Sequence, residues 1–276
     1  VPEGDILRRT AHRLDEALTG RPVVAAELRW PDAAGAHLDG VTVTGTESYG
    51  KHLFTHFDDG RTLHTHLRME GSWRLERTGS AAAARAARSP WVRALLTTPS
   101  WTTVGHRLGM LDLVATAQAP TLIAHLGPDV LADDFPARGL PVALARLREH
   151  PRTPIAEALL DQTRAAGFGT IYMAESLFAR RIWPWTPVEE IDDLASLVMT
   201  GRVLMLRSVD SDSPTATGET VRGATTRVHG RRGRPCRRCA TPVREGTAGR
   251  PPTERPVFWC PRCQPEPEQQ PAAETE

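Results

Sequence analysis

The sequence predicts an α+β multidomain fold: an N-terminal antiparallel β-sandwich with one helix, then an all-helical unit, then a small ribbon built on cysteines. Three observations predict it. Short apolar runs punctuated by Gly and Asp turns fill the first half. After the Gly127 to Asp129 turn the apolar spacing changes to helical period. Four cysteines then stand near the end as two CxxC pairs.

Residues 5–18, DILRRTAHRLDEAL, bring Ile6, Leu7, Leu14 and Leu18 close to one helical face, with Asp5 available as N-cap. The runs VVAAELRW, VTVTGTESYG, HLFTHFDDG and TLHTHLRMEGSW read as antiparallel strands. Residues 77–90, RTGSAAAARAARSP, read as a solvated excursion, after which WVRALLTTPSWTTVGHRLGMLDLVAT resumes the strand pattern. LPVALARLREH, PIAEALLDQ, IYMAESLFARR and VEEIDDLASLVMTGRVLMLRSV then carry helical spacing. The break AAGFGT, with Gly167 and Gly169, implies helix-turn-helix geometry with the second helix opening near Thr170. Residues 208–228 read as a mobile connection and QPEPEQQPAAETE as a disordered tail. The expected units are 1–125, 135–225, a finger over 229–264, and a tail over 265–276.

A chain of 276 residues exceeds one average domain. No run approaches the roughly 18 apolar residues of a membrane span, and VPEGDILRRT lacks the apolar core of a signal peptide, so a cytoplasmic protein is expected. Net charge is only +1, but its distribution is uneven: from Arg222 to Cys263 there are eleven Arg against Glu245 and Glu254, a local balance of 11 − 2 = +9. That segment reads as a nucleic-acid surface, with a solvated basic loop as the bland alternative. Lys51 is the one lysine beside thirty-three Arg. An amine that can lose its proton would explain the exception, as would chance.

Cys236-x2-Cys239 and Cys260-x2-Cys263 have the spacing of a two-knuckle ribbon. Four thiolates close a tetrahedral shell around one Zn2+ and leave no open position, so the expected metal is structural. Two disulfides would suit a secreted chain instead. Arg255, five residues before Cys260, can offer its guanidinium to phosphates, although spacing alone makes it one basic residue among many. If the preceding residue is removed, Pro2 becomes a terminal secondary amine titrating near about 8. Such an amine can attack a sugar C1′ carbon, and Glu3 beside it can move protons; out of context the same residues are simply a frayed terminus.

Five motifs supply the context. Pro-Glu-Gly at the start, GKHLF at 50–54, HLRMEGSW at 66–73, LLDQ with AGFGTIY across 159–172, and the CxxC pairs occur in that order. Together they resemble the formamidopyrimidine-DNA glycosylase and endonuclease VIII family over residues 1 to about 264. The PEGD opening is similar to the endonuclease VIII branch found in actinobacteria. The resemblance implies a β-sandwich and a helix-two-turn-helix domain with a zinc finger, closing on DNA and flipping out a lesion.

It further implies Pro2 as nucleophile, Glu3 as acid-base partner, and Lys51 as the hairpin lysine that contacts the lesion phosphate and assists elimination. Met69 matches a side chain that wedges into the base stack, against the plainer reading of a core methionine. Arg255 matches a finger arginine that binds phosphates. Thr170 departs from the family, which has Asn in GNIY where this chain has GTIY, so weakened or altered phosphate binding is expected there. A retained Val1 would turn Pro2 into an amide. The implied protein is a bifunctional glycosylase and abasic-site lyase acting on oxidised pyrimidines by β- and δ-elimination. Its expected partner is damaged duplex DNA, not a membrane, and it acts as a monomer at the nucleoid. A non-catalytic damaged-DNA binder of the same fold and a generic zinc-ribbon adaptor are the competing readings.

Overall fold

The computed structural model describes residues 2–267; part of the tail expected to be disordered, 268–276, lies outside the described residues, as does Val1. The chain divides into two compact units, 1–132 and from Asp133 onward.

The first unit opens with helix α1 (Gly4–Leu18), whose buried face carries Leu7, Ala11, Leu14 and Leu18 at helical spacing. The helix starts one residue earlier than the sequence suggested. Its N-cap is Glu3 in extended conformation without a side-chain cap bond, and Asp5 instead lies in the first turn, where its charge complements the helix dipole.

Eight strands follow: β1 (Ala25–Leu28), β2 (Val43–Tyr49), β3 (His52–Phe57), β4 (Arg61–His66), β5 (Ser72–Arg77), β6 (Val92–Thr97), β7 (Trp101–His106) and β8 (Met110–Ala115). They form two antiparallel four-stranded sheets ordered β1-β6-β7-β5 and β2-β3-β4-β8. The core combines α1 with Leu53, Phe57, Leu63 and Leu111 from one sheet and Leu28, Ala94 and Leu96 from the other. Because side chains alternate along a strand, the even-numbered residues of β3, β4 and β8 occupy the opposite face from Leu53, Leu63 and Leu111. The excursion between β5 and β6 is not wholly irregular. Ser80 accepts from the Ala83 amide and caps a short helix α2 (Ala81–Ala87), consistent with alanine's high helix propensity. A one-turn helix α3 (Ala119–Leu122) follows β8.

The second unit holds α4 (Leu140–Arg148), α5 (Ile155–Leu160), α6 (Thr170–Arg180) and α7 (Leu194–Val209), then the hairpin β9 (Arg244–Ala248) and β10 (Arg255–Trp259). The last predicted helical run, 188–209, is interrupted: a single 3-10 turn covers Val188–Glu190, and Asp193 caps α7 by accepting from the Ser196 amide. The 208–228 connection has local order. Thr215 is buried, its hydroxyl donates to the Glu219 carbonyl at 2.7 Å, and Thr217 Oγ1 donates to the Ala224 carbonyl at 2.7 Å. No helix among the described residues is long and apolar enough to cross a membrane.

The α5–α6 junction explains LLDQ and AGFGT together. Asp161 accepts from the Thr163 amide and hydroxyl and from Arg164 Nε, while Gln162 bridges the turn by donating to the Leu160 and Phe168 carbonyls and accepting from the Gly167 amide. Gly167 has φ of 115°, a conformation that glycine tolerates at little cost. Phe168, fully buried, lies against α7 so closely that a Cβ on Gly201 would stand 2.2 Å from its ring. We therefore expect Gly201→Ala to destabilise the second unit by about 2 kcal/mol through overpacking, read as a lower denaturant midpoint; an unchanged midpoint would refute this account of the crossing.

Candidate functional site

In the first unit, α1 and β2 run antiparallel. The Gly20 amide bonds the Val43 carbonyl at 2.8 Å and the Thr46 amide bonds Asp15 Oδ1 at 2.8 Å. From Asp15 back to Glu3 the helix rises about 18 Å. From Thr46 to Tyr49, the last residue of β2, the strand advances about 10 Å, and the two-residue turn Gly50–Lys51 follows. The start of α1 and the β2–β3 turn therefore reach the same end of the sandwich, with Pro2, Glu3 and Lys51 at that end. Glu3 is 1 % exposed, and Pro2 and Lys51 are half-buried.

The same end receives the loop that leaves β4. The Gly71 amide returns to the Leu67 carbonyl at 2.9 Å, and a Cβ at Gly71 would lie 2.4 Å from that oxygen, so the loop closes only with glycine. Its tip carries Met69, which is 65 % exposed and so belongs to no core. A second loop lies alongside: the Gly109 amide bonds the His66 carbonyl, and Arg107, with φ of 50°, pairs with Glu70 and covers the Trp91 ring at 4.5 Å. Sequence reasoning passed over Arg107, for which the only signal was the loop-like HRLGM ahead of β8.

Sequence reasoning also passed over a histidine array. Four of the ten histidines fall between positions 52 and 66. His52 pairs directly with His66, Phe54 with His64, and His64 with Asp112 across β3, β4 and β8. Their common even parity, the available signal, puts them on one face. His64, 1 % exposed, stacks on Phe54, places Nδ1 2.9 Å from Asp112 Oδ2 and Nε2 2.8 Å from His52 Nδ1. Burial is the main cause that pushes His52 down to about 3 and His66 to about 4, with the Lys51 charge contributing to both. Both rings are thus neutral at pH 7.

In the second unit, Thr170 occupies the first residue of α6, after the Gly169 N-cap, and its hydroxyl lies 3.3 Å from His229 Nε2. Burial lowers His229 to about 4, and its ring meets Phe258 edge-on at 5.1 Å. One helical turn on, Glu175 is 3 % exposed and accepts three backbone amides, from Arg227, Val228 and His229, at 2.8, 2.8 and 2.9 Å. Burial pushes its carboxyl up while the three amides favour the ionised form.

The four cysteine sulfurs lie within 4.8 Å of one another. Cys236 to Cys263 is 3.9 Å, Cys239 to Cys260 is 3.4 Å and Cys239 to Cys263 is 3.5 Å. These separations exclude disulfides, which need about 2.05 Å. They suit four thiolates around one tetrahedral metal ion, whose sulfurs stand about 3.8 Å apart for a 2.3 Å bond. Each knuckle is closed by a backbone bond, Ala240 amide to Cys236 carbonyl and Gln264 amide to Cys260 carbonyl. Gln264, fully buried, also accepts from the Cys260 amide and donates to the Ile182 carbonyl, which fastens the second knuckle to the chain just past α6. Arg255 begins β10 at the end of the hairpin remote from the cysteines. It is exposed, and Nη1 donates to the Thr253 and Glu254 carbonyls.

Residues 1–104 match the model of the formamidopyrimidine-DNA glycosylase N-terminal domain. The chain is 40 % identical over its whole length to a probable endonuclease 8 2 of Streptomyces coelicolor, covering 98 % of that protein. This protein belongs to the formamidopyrimidine-DNA glycosylase and endonuclease 8 family. It is also 35 % identical to a DNA-(apurinic or apyrimidinic site) lyase Nei2 of Mycolicibacterium smegmatis, over 96 % of this chain and 99 % of that one. Among solved structures, the Lactococcus lactis formamidopyrimidine-DNA glycosylase bound to DNA containing an abasic site superposes with TM-score 0.80 at 21 % identity, over 96 % of this chain and all of that one. The Thermus thermophilus MutM protein gives 0.75 at 27 % identity, over 95 % and 98 %. The fold is thus that of the family: a sandwich with its N-terminal helix, a helix-two-turn-helix domain and a four-cysteine finger.

Glu175 bridges the last two of these within the second unit. Glu175→Ala leaves three buried amides without an acceptor and is expected to cost about 3 kcal/mol. Hydrogen exchange at Arg227, Val228 and His229 should accelerate in the variant, and unchanged protection would rule the bridge out.

Proposed function

We propose that this protein is a bifunctional DNA glycosylase and abasic-site lyase of base excision repair. The observation that carries the reading is the convergence of Pro2, Glu3 and Lys51 at one end of the sandwich, in a chain related over its full length to endonuclease 8 proteins. In this reading the Pro2 amine attacks C1′ of the damaged nucleotide, the glycosidic bond breaks, and the base leaves with a proton. Glu3 moves protons on the leaving base and to O4′, so that the C1′–O4′ bond opens and the Pro2 nitrogen, having lost its proton, holds C1′ as an iminium. The resulting iminium accepts the electron pair released when a C2′ proton is removed, and the 3′ phosphate departs. Lys51 contacts the lesion phosphate and assists this elimination.

Met69 supports the reading as an exposed, unbranched apolar side chain on a tight loop, suited to fill the gap left by an everted base. Arg255 at the hairpin tip and Thr170 at the α6 N-terminus take phosphates, the latter beside a neutral His229. The substrate is damaged duplex DNA, bound by one copy of the protein. The likeness of this chain to proteins named endonuclease 8 is the ground for proposing oxidised pyrimidines as the lesions.

Sodium borohydride should trap a covalent complex with abasic duplex DNA, and Pro2→Ala should reduce trapping at least about a hundredfold. Intact mass accompanies the experiment. Loaded, folded protein that begins at Pro2 and forms no crosslink would sink the mechanism, whereas a retained residue ahead of Pro2 would make this chain a non-catalytic binder.

We further propose that Cys236, Cys239, Cys260 and Cys263 hold one structural Zn2+, which organises the finger and takes no part in the chemistry. Burial pushes the Cys263 thiol up to about 12, so keeping four thiolates together calls for a cation. Elemental analysis should return one zinc per chain, and chelation should abolish DNA binding while the first unit's far-UV signal persists. Full binding by metal-free protein would refute the assignment.

A further inference from the structure

We propose that Asp112, His64 and His52 form a hydrogen-bonded relay that fixes His52 as a neutral acceptor beside Lys51, making these three positioning residues for the lysine amine. The proposal rests on the reading of Lys51 given above.

The relay is set by sheet register. His64 stands opposite Asp112 on β8 and diagonal to His52 on β3, so its two ring nitrogens face two different partners on one sheet face. The His52 and His64 rings are within 13° of coplanar, with centroids 5.1 Å apart. With 2.8 Å between Nδ1 and Nε2, this is the geometry of two imidazoles sharing an in-plane hydrogen bond rather than stacking face to face.

Donor and acceptor roles follow in sequence. An ionised Asp112 only accepts, so His64 carries its proton on Nδ1. His64 Nε2 is then bare and accepts, which puts the His52 proton on Nδ1 and leaves His52 Nε2 as a free lone pair. The neighbouring His66 is set the opposite way. Its Nδ1 accepts the Arg68 backbone amide at 2.9 Å, so a neutral His66 carries its proton on Nε2. The two rings meet edge-on at 4.8 Å.

The array around Lys51 is therefore ordered as one acceptor, His52, and one donor, His66. Without the anchoring carboxylate, His64 can take either tautomer, and His52 can then turn a second donor toward an ammonium group that also donates. The groups facing His52 are His64 and His66 from β4, Lys51 from the turn and His125 from beyond α3, with Arg68 acting on His66. Lys51 and Arg68 are the cations among them. Asp112 is the relay's anion, with its side chain 38 % exposed and His64 almost wholly buried. Burial keeps the His52 and His66 rings neutral well below pH 6. The ordered state thus spans the physiological range.

The test has two parts on the full chain. Long-range 15N–1H spectra of histidine-labelled protein, without DNA, should show Nδ1–H for His64 and His52 and Nε2–H for His66, unchanged from pH 8 to pH 5. An Nε2–H tautomer at His52, or titration of His52 near its ordinary value, overturns the relay. In Asp112→Asn, which keeps the shape of a partly exposed side chain, His52 should become a mixture of tautomers. Strand cleavage at abasic DNA should lose about tenfold in kcat with KM within about twofold. Asp112→Glu should recover most of the rate. Wild-type kcat in Asp112→Asn, or a loss that follows its melting temperature and is not rescued by Glu, overturns the positioning role. Wild-type protein that shows the expected tautomers yet cuts no abasic DNA overturns the positioning role through failure of the lyase reading, with the tautomer assignment intact.

Discussion

The bond from the Thr46 amide to Asp15 sets how far α1 is advanced along β2, and the placement of the chain's first residues depends on it. Helix and strand rise at different rates per residue, so one anchored pair fixes every other level along the two elements. Asp15 also accepts from the Thr19 hydroxyl at 2.6 Å, which holds the carboxylate over the helix's last turn. The apolar face of α1, with Leu7, Leu14 and Leu18, supplies the burial energy but little axial specificity. Polar bonds with fixed geometry supply the register. The start of α1 and the β2–β3 turn, nearly fifty residues apart in sequence, reach one end of the sandwich because of it.

The second unit solves a comparable problem with buried polar anchors. A finger of this size has little core of its own, and a cysteine cluster organises only the residues around it. Glu175 takes three successive amides just before the first knuckle, and Gln264 ties the second knuckle to the Ile182 carbonyl. Trp185 adds a bond from its indole N–H to the Thr247 carbonyl and meets Trp259 edge-on. The hairpin that bears Arg255 is thereby held to the helices by directional contacts at several separate points. Directional contacts suit the phosphate-binding role proposed for Arg255, which needs its guanidinium held at one place.

Much of this was legible in the sequence wherever the signal is periodic or chemically singular. Strand alternation, helical spacing and two CxxC pairs each reflect a local rule, and the sandwich, the helices and the cysteine cluster follow from them. What stayed hidden depends on partners distant along the chain. Glu175 looks like an ordinary charge in IYMAESLFARR, and only the returning 227–229 backbone makes it a structural centre. Gln264 is similarly unremarked beside Cys263. Asp5 was assigned the N-cap on residue preference, but the cap lies two residues sooner, at Glu3, which acts through its backbone. At α2 the error ran the other way. A low-complexity alanine run read as solvated chain forms a helix because Ser80 supplies a cap and Ala83 finds a buried position.

The lone lysine gains meaning from its setting. An Arg at position 51 would bring a guanidinium that stays protonated under all relevant conditions and whose planar fork cannot be turned into a neutral nucleophile or base. A lysine amine is a compact point donor whose proton affinity responds to its neighbours, and the neutral rings of His52 and His66 are near enough to feel its charge. Histidines kept neutral by burial offer hydrogen-bonding order, with the relay carboxylate, Asp112, set behind His64. Under the proposed function, thirty-three Arg and one Lys divide the labour: permanent positive charge attracts a polyanion and a single adjustable amine assists the elimination.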